Sequence, residues 1–175
     1  MNTPSAKLQV MVGDRFACIK IIGRANFNSS IDFKNLVSEL RQHDCKFFVL
    51  DLSECLLMDS TFLGTLAGLG LRMNPGEKDP ANSPVELLNP STRITELLEN
   101  LGILYLFRVT QGLAALPSCS EIGAHTPANP TREDTVHACL EAHRTLMEIN
   151  PDNVSRFREV AQFLAEDLNK LKGAT

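Results

Sequence analysis

The spacing of apolar residues changes several times along the chain, and each change marks an element. Positions 7–12 (KLQVMV) and 16–22 (FACIKII) are short β-branched-rich runs parted by Gly13 and Asp14, which predicts an opening hairpin. Between 30 and 43 the period lengthens: Ile31, Leu36, Val37 and Leu40 share one helical face, with Ser29 or Ser30 as its cap. Residues 47–52 (FFVLDL) form a continuous apolar run of strand length, the pattern of a central strand covered on both faces. A helix is predicted over 60–73, then a strand over 85–88 after the loop NPGEKDPANSP. Asn89 or Ser91 caps a third helix running to Asn100, Gly102 ends it, and 104–109 reads as a last strand. The order ββαβαβαβ predicts an α/β domain over residues 1–110, a mixed sheet of four to five strands with helices packed on it.

Residues 111–130 hold three prolines and many small polar residues, which reads as a linker or irregular segment. Beyond it, 131–175 reads as two helices. Thr131 and Asp134 have capping-box spacing ahead of Val136, Leu140 and Met147. Asn150 and Pro151 break that helix and start another with the stripe Val154, Phe157, Ala161, Leu164, Leu168 and Leu171. Neither stripe can be buried alone, so the pair is expected to form a C-terminal αα-hairpin extension. It should dock through Phe157, Leu164 and Leu168 on the first domain or on another subunit of a homo-oligomer.

Composition narrows the chemistry. Among 175 residues, 43% are hydrophobic, enough for a real core, and 17 basic against 21 acidic side chains leave a net charge of −4. That charge offers no footprint for a phosphate backbone or an anionic membrane, so neither direct nucleic-acid binding nor membrane insertion is expected. Five widely spaced cysteines without a CxxC pair indicate neither a disulfide framework nor zinc, and fit a reducing cytoplasm. GTLAGLG lacks the lysine and spacing of a P-loop, and the four histidines form no metal-ligand pair and are read as surface residues. No nucleophile elbow surrounds Ser60, so catalysis is not expected.

The segment 50–73, LDLSECLLMDSTFLGTLAGLGLRM, is the most informative. Asp59, Ser60 and Thr61 are small polar residues between an apolar strand and an apolar helix, the composition of a helix N-terminus, which puts Ser60 near the surface. As a cap alone the group would contribute about 1 kcal/mol. The helix behind it is uncharged from Thr61 to Leu71 and spreads Phe62, Leu63, Leu66, Leu69 and Leu71 around more than one face. Gly64, Gly68 and Gly70 each cost about 1 kcal/mol relative to alanine in a helix interior, a cost that close approach by a sheet or partner would offset. An external partner or the C-terminal hairpin could cover the surplus apolar surface.

This strand, DSTFLG turn and apolar helix, after an opening hairpin and before VELLNPSTRITELLENLGILYLFRV, resemble the STAS domain of bacterial anti-sigma-factor antagonists over residues 5–110. The most specific likeness is LDLSECLLMDSTFLG, and LLNPSTRITELLENLGI is similar to the family's third-helix segment. The resemblance implies a STAS-like fold without a cofactor. In it, Ser60 aligns with the serine phosphorylated by an anti-sigma factor that has serine kinase activity, and a phosphatase reverses the step. It also implies a partner-binding surface of Asp59, Ser60, Thr61, Phe62, Leu63 and Leu66. Many members have a second serine and a glycine after the phosphorylated residue. Here Thr61 and Phe62 stand there, which makes Thr61 an alternative acceptor. The C-terminal hairpin lies outside the resemblance. The alternative reading is a STAS scaffold or regulatory subunit of another complex, a stress-signalling assembly or a lipid transporter.

A switch on such a surface needs only local electrostatics. Phosphorylation adds about −1.5 to −2 charges at pH 7. Exposed N–H groups at a helix start tolerate them, but a partner without a cation does not. A penalty of about 3 kcal/mol weakens binding by more than about 100-fold.

Overall fold

The computed structural model describes residues 4–112, 119–124 and 127–174. Strands β1 (Lys7–Gly13) and β2 (Phe16–Ala25) form the predicted hairpin, paired Val10 to Ile19, with Asp14 and Arg15 as its two-residue turn and Arg15 at φ 58°. β3 (Phe47–Asp51) runs parallel to β2, and β4 (Cys55–Met58) pairs with the far end of β2. β5 (Val85–Leu88) and β6 (Arg108–Thr110) extend the sheet in parallel beyond β3, and β7 (Cys119–Ala124) runs antiparallel along β1. The order is β6-β5-β3-β2-β1-β7, with β4 off this path. The mixed sheet under packed helices is the predicted architecture, with two strands that the pattern did not show. β4 lies inside the apolar stretch before Asp59, and β7 lies inside the segment read as irregular, where it gains its order from the open edge of β1.

Helices α1 (Phe27–Gln42), α2 (Ser60–Met73) and α3 (Thr92–Asn100) pack on one face of the sheet. Ala17, Ile19, Ile21, Phe48, Leu50, Val85 and Leu87 meet Phe33, Val37, Phe62, Leu66, Ile94 and Leu98 there in one core. Val49 instead joins Phe16, Cys18 and Leu88 on the opposite face, so β3 is apolar on both sides as its run implied. Two boundaries differ from expectation, and the cap of α3 resolves to one of its two candidates. α1 is capped by Asn26 rather than Ser29 or Ser30, because Ser29 closes a capping box back onto the Asn26 N–H. Ser91 caps α3, whereas Asn89 has φ 53° and bonds to Gly112. Within 104–109, Leu104–Leu106 form a 3-10 turn that brings Leu106 and Phe107 against Gly70, and only then does β6 begin.

The C-terminal helices are α4 (Arg132–Ile149), with its Thr131–Asp134 capping box, and α5 (Asp152–Gly173). Leu164 and Leu168 do not dock the hairpin: they hold α5 to Val136 and Leu140 of α4. Docking on the first domain goes through Leu146 and Phe157, which join the main core, and through Ala142 against α2. Among the described residues no helix is long and apolar enough to cross a membrane.

Candidate functional site at the start of helix α2

Asp59 leaves β4 with an extended backbone (φ −84°, ψ 171°) and caps α2. One carboxylate oxygen accepts the Phe62 N–H at 2.8 Å, and the other accepts the Phe27 N–H, also at 2.8 Å. A single side chain thus joins the N-terminal ends of α2 and α1. Burial pushes its carboxyl above the usual 3.8, against the opposing pull of those two N–H groups and of His143.

Ser60 is the first residue of α2 and half-buried. Its Oγ lies 2.9 Å from Nε2 of His143, whose Nδ1 lies 2.6 Å from the Cys139 carbonyl oxygen. A carbonyl only accepts, so Nδ1 carries the proton. In the neutral ring Nε2 is then the acceptor of the Ser60 O–H. His143 is 5% exposed, and its ring meets the Phe157 ring at a centroid distance of 5.1 Å, tilted by 60°. This corrects the reading of His143 as a surface residue.

The predicted partner-binding set divides by helical phase. Phe62, Leu63 and Leu66 are 0%, 2% and 0% exposed and face the sheet, with Phe62 at 5.3 Å from the Phe33 ring. They are core, not an exposed contact surface, because α2 turns its large side chains inward. Thr61 is buried with its hydroxyl beside the Cys139 thiol, so the alternative acceptor is covered by α4. Asp59 and Ser60 are the two members of the set that stay half-buried.

No protein-family model matches the sequence, and no curated protein matches it. Among solved structures the chain is similar to the anti-sigma factor antagonist SpoIIAA in its unphosphorylated form, at 17% identity and a TM-score of 0.48, with 61% of this chain and 89% of that one covered.

The outward side of α2 carries small residues, Thr61, Gly64, Thr65 and Gly68, and α4 lies along it. A Cβ at Gly64 would stand 2.3 Å from the Ala142 carbonyl oxygen, so only glycine permits this approach. Lys34 of α1 pairs with Glu141 at 2.6 Å, and Asn153 donates to the Leu101 and Leu146 carbonyls, both at 2.9 Å. Arg156 reaches the Asn100 carbonyl at 3.2 Å. His143 is the functional residue that sequence reasoning missed. Its signal was its place in the apolar stripe Val136, Leu140, Met147, where a polar residue needs a partner. Among the described residues no group of three His, Cys, Asp or Glu side chains is arranged to hold a metal ion.

Proposed function

We propose that this chain is a non-enzymatic protein-binding switch of the anti-sigma-factor-antagonist kind, controlled by phosphorylation of Ser60. The observation that carries it is the position of Ser60: the first residue of a helix on a mixed sheet, half-buried, with its hydroxyl turned out of its own helix. The partner is an anti-sigma factor with serine kinase activity, and a phosphatase reverses the modification. In the transfer, a bond forms from Ser60 Oγ to the γ-phosphorus of ATP, the bond to the bridging oxygen breaks, ADP leaves, and the hydroxyl proton passes to a base. Asp59 and Phe27, a residue 41% exposed whose N–H binds the shared carboxylate, border the contact. Incubation with ATP and candidate serine kinases should add one phosphate, mapped to Ser60 by tandem mass spectrometry. Equal labelling of Ser60→Ala would overturn the proposal.

The second reading, a scaffold or regulatory subunit of another assembly, is favoured by one observation: α4 already covers the outward side of α2. It predicts partner affinity that is indifferent to Ser60→Asp in calorimetry.

A further inference from the structure

We infer that α4 is a built-in occupant of the outward side of α2, latched through the Ser60–His143 hydrogen bond, and that negative charge at Ser60 releases it. The biological use of this latch rests on the proposed modification of Ser60; the latch does not.

Three contacts define the docked state. The Gly64 notch admits the Ala142 backbone, the Thr61 hydroxyl meets the Cys139 thiol, and the Ser60 hydroxyl donates to His143 Nε2 at 2.9 Å. The last contact is the one that chemistry at Ser60 changes. A phosphate dianion or carboxylate there offers only lone pairs to Nε2, whose ring is held in the Nδ1–H tautomer by the Cys139 carbonyl. Two acceptors then face each other beside the Asp59 carboxylate, in a part-buried contact next to the Phe157 ring. The nearby cation of α1, Lys34, is already paired with Glu141.

Release would uncover Thr61, Gly64, Thr65 and Gly68, a stripe that fits a helix with small residues four apart, as α4 presents Ala138 and Ala142. The partner class is therefore a protein presenting such a helix, and α4 competes with it.

The Cys139 thiol, half-buried beside Thr61, reports docking in the full chain. Alkylation of Cys139, followed by peptide-resolved mass spectrometry at constant pH, should be about tenfold faster in Ser60→Asp than in wild type, and Ser60→Ala should change it much less. Cys55, buried with its thiol pushed up to about 11, serves as the control for global unfolding and should stay unlabelled. Unchanged or slower Cys139 labelling in Ser60→Asp would overturn the latch, the slower case meaning that charge clamps α4 through a protonated His143. Should Ser60→Asp also expose Cys55, His143→Ala decides: it removes the latch from the other side and should speed Cys139 labelling, and an unchanged rate would overturn the inference. A charge-released hairpin in a protein whose Ser60 no kinase labels would reject the proposed function and keep the latch. Kinase labelling of Ser60 with Cys139 labelling unchanged would do the reverse.

Discussion

Asp59 takes one hydrogen bond from each of two helix starts, and burial still raises its carboxyl above 3.8. A raised acid binds its proton more tightly in the folded than in the unfolded chain. Its contribution to stability is therefore fullest below the ordinary value and is lost as pH rises through the folded one. An asparagine at this position would cap α2 without titrating. The stability advantage of wild type over Asp59→Asn, from urea midpoints at successive pH values from 3.8 upward, should shrink with rising pH and then level off. An advantage that grows would mean that the Phe62 and Phe27 N–H groups outweigh burial. The cap itself was legible in the sequence, since a small acidic residue between an apolar strand and an apolar helix has few other uses. The shared bond to Phe27 was not, because it joins residues separated by 32 positions and depends on how α1 and α2 meet.

At the scale of elements, the two glycines Gly64 and Gly68 of α2 look alike in sequence and differ in structure. A Cβ at Gly64 meets a backbone carbonyl at 2.3 Å that cannot move aside, whereas at Gly68 the nearest atom is the end of Arg72 at 3.8 Å. Gly68→Ala should raise stability by up to about 1 kcal/mol through helix propensity. Gly64→Ala should lower it by about 1–3 kcal/mol, overpacking outweighing the same gain. Thermal melts of the two variants should thus move in opposite directions, and a stabilised Gly64→Ala would show that α4 does not lie against α2. The periods of 2 and 3.6 revealed the hairpin, α1, β3, α2, β5 and both C-terminal helices. They missed β7, whose order comes from pairing with β1, and they assigned strand to 104–106, where the demand to bury Leu106 against Gly70 prevailed.

For the whole molecule, the hairpin is part of the domain it covers. Leu146 is fully buried, Phe157 packs on the main core, and Asn153, Arg156 and Glu141 tie it to α3 and α1. Burying one such large side chain contributes about 1.5–3 kcal/mol before entropy is subtracted. A chain ending at Ala128 should therefore melt at least about 5 °C lower or aggregate through the exposed α2 stripe, as seen by calorimetry and light scattering. An unchanged melting temperature would show the hairpin to be an independent unit.

Local pattern determined the α/β order, the DST cap and the existence of two amphipathic helices after a proline-containing segment, because periodicity and capping act over a few residues. Tertiary structure alone decided that Phe62, Leu63 and Leu66 are core, that α4 fills the glycine notch, and that His143 holds the Ser60 hydroxyl. Residues 60 and 143 stand 83 positions apart, and no spacing rule links them. Their meeting depends on the rotational phase of α2 on the sheet and on how α4 packs along it, quantities set by packing of the whole chain.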